Sequence, residues 1–114
     1  MRRLLVVTLC TVTSVSFAQE FAHEGVKANE AFIDGCRLSG TDKTSYDRGF
    51  CEATVLSIIG LEEYGPIKSC APMDTTVAQA ARVYAIWLEK HTERWNEPIL
   101  NLAMHAFAEA WPCK

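Results

Sequence analysis

Four cysteines that follow an export signal constrain this chain more than any other feature of its sequence. They are Cys36, Cys51, Cys70 and Cys113, and a fifth, Cys10, falls within the signal itself. Outside the cytosol, an even set of cysteines in a short chain indicates disulfide bonds. Cross-links suit such a chain, because a domain this small buries only about 60–65% of its unfolded surface.

The export signal is predicted at residues 1–18. A basic start is followed by an apolar stretch from Leu4 to Phe17, and small Ala18 precedes the predicted cut. The apolar stretch is too short to span a bilayer, so we expect no membrane anchor. The expected product is a periplasmic protein of one domain, residues 19–114.

The charge of the mature chain excludes two classes of partner. Without Arg2 and Arg3, the 11 basic residues of the full chain become 9 against 14 acidic ones, so the formal net charge is −5. Nucleic acids and anionic membranes select basic surfaces, so neither is expected to be a partner.

Apolar residues recur with helical spacing through nearly all of the mature chain, which predicts an all-α domain of four helices. The first two are expected at about Val26–Leu38 and Tyr46–Glu62. The second is apolar on both sides, so we expect it to be the central element. One face of this helix carries small residues, so we expect a neighbouring backbone to approach it closely there. These residues are Gly49, Ala53 and Gly60.

The two later helices carry start and stop signals. Thr76 with Gln79 forms a predicted capping box for the third helix. Pro98 suits the first turn of the fourth, with Asn96 as its cap and Pro112 at its end. The predicted core stripes are Val77, Ala80, Ala81, Tyr84 and Leu88 on the third helix, and Leu100, Ala103, Met104, Phe107 and Trp111 on the fourth.

The helical layout favours one of the three ways to pair four cysteines. Cys36 ends the first helix and Cys51 lies near the start of the second. Because a short loop makes these helices antiparallel neighbours, the two cysteines should lie at similar heights. Cys70 precedes the third helix and Cys113 follows the fourth, so a second antiparallel hairpin would join that pair. We therefore predict Cys36–Cys51 and Cys70–Cys113.

No catalytic or cofactor motif is present, so we expect neither enzymatic activity nor a cofactor. The sequence contains no phosphate-binding Gly-rich loop, no nucleophile elbow and no Cys-x-x-Cys. A zinc site built from cysteine and His91 or His105 is disfavoured, because the spacings match no common metal motif and an oxidising compartment would consume the thiols.

Trp95 allows two interpretations. It lies among charged residues in the break between the third and fourth helices, where an aromatic anchor for a partner would be placed. Alternatively, it folds back to cover the helical hairpin, and this is the favoured interpretation.

The order of these features resembles the Tai/Rap immunity proteins of type VI secretion amidase effectors. The matching pieces span about residues 29–113: Phe32 to Cys36, Tyr46-x-x-Gly49-x-Cys51, Cys70-Ala71-Pro72, Val83-Tyr84-x-x-Trp87-Leu88, Lys90-His91 and Ala108-x-Ala110-Trp111-Pro112-Cys113. The sequence departs from the pattern at Thr92, where the family often has proline, and at Leu61-Glu62.

The resemblance implies a helical, disulfide-bonded periplasmic protein, often a homodimer, that blocks the active site of a peptidoglycan-cleaving amidase. In some members the loop between the third and fourth helices enters that active site. By position this loop corresponds to Glu93, Arg94, Trp95 and Asn96. Under the same resemblance, the apolar flank Val83, Ile86 and Trp87 suits a dimer contact. The alternative is a periplasmic helical chaperone or small interaction protein not tied to an effector.

Overall fold

The computed structural model describes residues 25–60 and 65–114, which form four α-helices. The helices are α1 (Glu30–Leu38), α2 (Tyr46–Gly60), α3 (Val77–Lys90) and α4 (Ile99–Ala110), with a 3₁₀ turn at Thr92–Arg94. Within these ranges the only strand-like pairing is an isolated bridge between Lys27 and Pro98. The predicted all-α class is confirmed.

Several predictions fall on residues outside the described ranges. They are the export signal at residues 1–18, the cut after Ala18 and the last turn predicted for the second helix, at Leu61 and Glu62.

Helix α1 starts later than its apolar pattern predicts. Asn29 is the N-cap, and its side-chain oxygen accepts a hydrogen bond of 2.9 Å from the backbone nitrogen of Phe32. Val26 lies outside the helix because its carbonyl oxygen accepts from the nitrogen of Ile99 at 2.7 Å. The predicted start at Val26 is wrong, since pairing with the start of α4 keeps this segment extended.

The core is built around Tyr84 of α3. The rings of Phe32 and Phe107 pack against it edge-on, at centroid distances of 5.9 and 6.1 Å. The Tyr84 hydroxyl donates a 2.6 Å hydrogen bond to the carbonyl oxygen of Ile99. Burial raises the pKa of Tyr84, so the phenol stays protonated and remains a donor.

Helix α2 is buried on one side only, so the prediction of a helix buried on both sides is wrong. Cys51, Val55 and Ile58 face the core, whereas Ala53 and Leu56 are exposed. The close backbone approach predicted at Gly49 and Gly60 is not found either, because no atom of the described residues lies within 4 Å of a Cβ added at either position. It occurs instead at Gly35 of α1, where an added Cβ would lie 2.4 Å from the backbone of Asp47.

Helix α3 has the predicted capping box. The Thr76 side chain accepts from the Gln79 nitrogen at 3.1 Å, and the Gln79 side chain accepts from the Thr76 nitrogen at 2.8 Å. Its predicted stripe is buried, with Val77 partly so.

Helix α4 departs from its prediction in two ways. Pro98 is its N-cap residue with no side-chain hydrogen bond, so the predicted cap at Asn96 is wrong. The predicted stripe is only partly right, since Ala103 and Phe107 are buried as predicted whereas Leu100 is 48% exposed.

Both predicted disulfides are present. Cys36 and Cys51 join α1 to α2 with their Cα atoms 5.3 Å apart, and both are completely buried. Cys70 and Cys113 are 5.0 Å apart, and both are exposed. The second disulfide ties the segment before α3 to the end of α4, assisted by a 2.8 Å bond from the Cys70 nitrogen to the Trp111 carbonyl oxygen.

Candidate functional site: the loop between α3 and α4

The α3–α4 loop, residues 91–98, is closed by its own backbone. His91 is the C-cap of α3, and its nitrogen donates to the carbonyl oxygen of Leu88 at 3.1 Å. The nitrogen of Arg94 then donates to His91 at 2.9 Å, and that of Glu97 to Arg94 at 3.0 Å. These successive turns connect the end of α3 to Glu97 by backbone hydrogen bonds.

Trp95 folds back onto the hairpin. Its indole nitrogen donates a 2.9 Å hydrogen bond to the carbonyl oxygen of Leu88, and its half-buried ring packs against the core. The last carbonyls of a helix have no partner within the helix, so this bond helps to cap α3. The favoured interpretation of Trp95, as a cover for the hairpin, agrees with this position.

An ion pair between Arg94 and Glu97 also stabilises the loop. Two hydrogen bonds join the guanidinium to the carboxylate, at 2.6 Å from Nε and 3.0 Å from Nη2. Asn101 of α4 donates to the same carboxylate at 3.1 Å. The hydrogen bond from Arg94 is the main reason that the pKa of Glu97 lies below its usual value. The pair therefore links the loop to the first turn of α4.

Trp87 forms the base on which the loop rests. The His91 ring stacks on it at a centroid distance of 4.0 Å, and the Arg94 guanidinium lies 5.1 Å from its centroid. The Trp87 indole donates to the Glu109 carboxylate at 2.7 Å. His91 Nδ1 also lies 2.7 Å from the Trp87 carbonyl oxygen.

The outward face of the loop is polar. Thr92, Glu93 and Asn96 are exposed, whereas Arg94 and Trp95 are only partly so. The Glu93 side chain makes no hydrogen bond or ion pair with any residue in the ranges 25–60 and 65–114. The four residues singled out from the sequence thus divide into two that fasten the loop and two that face outward.

Sequence reasoning missed Glu97, Asn101 and the role of Trp87 as the base of the loop. The spacing of Arg94 and Glu97, three residues apart, is a signal that could have identified the pair. The contact of Asn101 with Glu97 depends on how the chain turns at Pro98, which no local pattern reveals.

The predicted dimer contact lines a second surface, the α3/α4 groove. Its volume is about 250 Å³, and Val83, Ile86 and Trp87 are among the residues that line it. Ile86 is 52% exposed and Val83 is half-buried, whereas Trp87 is 6% exposed. Trp87 can therefore serve only as the floor of this groove, while Ile86 forms its accessible edge.

The described ranges contain neither a metal-binding cluster nor a membrane-spanning helix. No group of three or more His, Cys, Asp or Glu residues is placed there to hold a metal ion. None of the helices described is long and apolar enough to cross a membrane.

Comparison with known proteins identifies the family. No curated protein and no solved structure matches the chain. The family model of the Rap1a immunity proteins matches residues 17–113, which include all four helices and the α3–α4 loop. Because this match spans nearly all of the chain, the protein belongs to the Rap1a immunity proteins.

Proposed function

We propose that this protein acts in the periplasm and neutralises a type VI secretion effector, a peptidoglycan amidase, by placing the α3–α4 loop in its active site. Membership of an immunity family supports an effector as the partner. The observation that carries the choice of surface is the loop itself, a polar segment with exposed side chains that is held in place by the hydrogen bonds of Trp95 and Arg94.

A loop fastened in this way suits insertion into a cleft. Binding costs free energy for every side chain and loop that it must order, and a loop already held in its bound shape avoids part of that cost. The bonds at Trp95 and the Arg94–Glu97 pair supply this order in the free protein. Glu93 and Asn96 are then free to contact the effector with their polar side chains.

The two pairs of residues have different roles in this proposal. Glu93 and Asn96 contact the effector directly, so Glu93→Ala and Asn96→Ala should weaken binding without changing the fold. Trp95 acts by positioning the loop, so Trp95→Ala should weaken binding and also lower stability. For a residue at the centre of an interface, substitution by alanine weakens the binding free energy by about 2 kcal/mol, which raises Kd roughly thirtyfold.

The test measures protection and binding together. Cells that express the neighbouring effector gene in the periplasm should grow when this protein is present, and calorimetry should show tight one-to-one binding. Glu93→Ala should reduce both, whereas the matched change Asp42→Ala, at another exposed acidic residue, should change neither. Absence of rescue by the wild-type protein would exclude immunity against that effector. General suppression of aggregation at low pH, without a tight partner, would favour the chaperone alternative instead.

We further propose that the protein is a homodimer joined through the α3/α4 groove. Ile86, which is 52% exposed, and half-buried Val83 line this groove together and supply the apolar surface that such a contact would use. Ile86→Glu should then produce a monomer by sedimentation equilibrium. A wild-type protein that is already monomeric would contradict the proposal.

A further inference from the structure

The Trp87 indole joins the α3–α4 loop to α4. On its face, the His91 ring stacks at a centroid distance of 4.0 Å and an interplanar angle of 17°, and the Arg94 guanidinium lies 5.1 Å from the indole centroid. At its edge, Nε1 donates a 2.7 Å hydrogen bond to the Glu109 carboxylate. Glu109 belongs to the last turn of α4, 22 residues along the chain from Trp87. The ring on which the loop rests is therefore held from a helix outside the loop.

The contacts of His91 and Arg94 depend on the orientation of this ring. Stacking and cation–π attraction both act through the face of an aromatic ring, so both are lost if the indole turns about its side-chain bonds. Trp87 is only 6% exposed, and a buried indole N–H needs an acceptor. A hydrogen bond to an ionised carboxylate is roughly twice as strong as one between neutral groups. The bond to Glu109 thus favours the orientation in which the loop residues can rest on Trp87.

The location of Glu109 is not explained by the stability of its own helix. A carboxylate in the last turn of a helix lies at the negative end of the helix dipole, where a cation would be favoured. Its charge acts on the loop instead. The pKa of Arg94 is raised, chiefly by the hydrogen bond to Glu97, and the negative charge of Glu109 also contributes to this rise. Both the hydrogen bond and the charge of Glu109 therefore favour the observed position of the loop.

We propose that Glu109 is a positioning residue for the α3–α4 loop, which acts by holding the Trp87 indole in the orientation that His91 and Arg94 require. It would then determine the shape in which the loop is presented to a partner. The consequence for effector binding rests on the proposed function, whereas the effect on the loop is measured in the protein alone.

The first test follows the His91 ring by NMR in the exported protein, without effector. A ring stacked at 4.0 Å is shielded by the indole, so its protons should resonate upfield of those of an exposed histidine. Glu109→Ala should abolish this shift and move the indole N–H resonance of Trp87. Glu109→Gln, which keeps an oxygen acceptor, should retain most of the shift. The control Glu52→Ala removes an ion pair with Arg48, so it should lower Tm but leave the His91 resonances unchanged.

The second test measures binding to the purified product of the neighbouring effector gene. A loop that adopts its binding conformation only about a tenth of the time binds about tenfold more weakly. Glu109→Ala should raise Kd by about this factor, and Glu109→Gln should raise it less. In a Trp87→Phe background, which lacks the indole N–H, Glu109→Ala should change Kd little further. Additive changes in the binding free energy would show that Glu109 itself contacts the effector or a second copy, and would overturn the proposal.

The two tests fail separately. Unchanged His91 resonances in Glu109→Ala would overturn the role of Glu109, whether or not the effector binds. If the wild-type protein does not bind the effector, the proposed function fails for that effector, and the NMR result still decides whether Glu109 positions the loop.

Discussion

Gly35 determines how closely α1 and α2 can pack. A Cβ there would lie 2.4 Å from the carbonyl carbon and 2.5 Å from the carbonyl oxygen of Asp47, which are backbone atoms and cannot rotate away. Gly35→Ala should therefore push the two helices apart near the buried disulfide between Cys36 and Cys51. We expect a loss of about 2 kcal/mol or more in the free energy of unfolding, measured by urea denaturation.

The matched control is Gly49→Ala. Gly49 lies inside α2, and no atom in the ranges 25–60 and 65–114 comes within 4 Å of an added Cβ, so alanine gains helix propensity without a clash there. This variant should be more stable than the wild type by up to about 1 kcal/mol. Equal effects of the two substitutions would show that propensity, and not the contact between α1 and α2, determines the result.

Tyr84 carries one buried hydrogen bond within an otherwise apolar core. Tyr84→Phe keeps the ring that packs against Phe32 and Phe107 but removes the donor to the Ile99 carbonyl oxygen. We expect a loss of about 1 kcal/mol in the free energy of unfolding. Thermal unfolding checks this, and Tyr46→Phe, at an 82% exposed position, should leave Tm unchanged.

At the scale of elements, the α3–α4 loop is held partly by a charge pair that depends on pH. The pKa of Glu97 is lowered by its hydrogen bond to Arg94, so the folded state binds the proton less readily than the unfolded chain does. The pair therefore contributes its full stabilisation above the ordinary glutamate pKa of about 4.3. That contribution is lost as the pH falls through the lowered pKa of Glu97.

The titration of the Glu97 carboxyl carbon by NMR tests this arrangement. The midpoint should lie below the ordinary glutamate value in the wild type and should rise in Arg94→Gln. Arg37→Gln, which removes an arginine paired with Glu89 instead, should leave the Glu97 midpoint unchanged. An Arg94→Gln variant with an unchanged midpoint would show that the bidentate pair does not form in solution.

At the scale of the whole molecule, the two disulfides differ in access. Cys36 and Cys51 are completely buried, whereas Cys70 and Cys113 are exposed. Thiol–disulfide exchange requires that a thiolate reach a sulfur atom, so a small reductant should open Cys70–Cys113 first. Alkylation and mass spectrometry after brief treatment should find labelled Cys70 and Cys113 before labelled Cys36 and Cys51.

The consequence for stability follows from loop length. The Cys70–Cys113 disulfide joins residues that are 43 positions apart in the sequence. According to the chain-entropy model, opening a loop of this length lowers the free energy of unfolding by about 4 kcal/mol. The protein in which only this disulfide is reduced should still fold at room temperature, but its Tm should be lower than that of the fully oxidised protein. Simultaneous labelling of all four cysteines would instead indicate that reduction proceeds through global unfolding.

Local signals in the sequence were sufficient for much of the fold. The capping box at Thr76 and Gln79 depends on residues three positions apart, and helical spacing made both disulfide pairs the favoured ones. These local signals predicted the wrong helix boundaries where a contact with a residue distant in the sequence competes with them. Val26 has helical spacing but pairs with Ile99, and Asn96 has the chemistry of a cap but lies outside the first turn of α4.

The candidate site shows the same division. The sequence alone determined that residues 93–96 form a polar break between two helices, because the apolar period stops there and Pro98 restarts it. Only the tertiary structure decided that Trp95 and Arg94 turn inward and that Glu93 and Asn96 face outward. The physical reason is that helix periodicity and capping act over three or four residues. The conformation of this loop instead depends on contacts with Leu88, Trp87 and Asn101. These residues lie on α3 and α4, and they come close to the loop only when the two helices pack together.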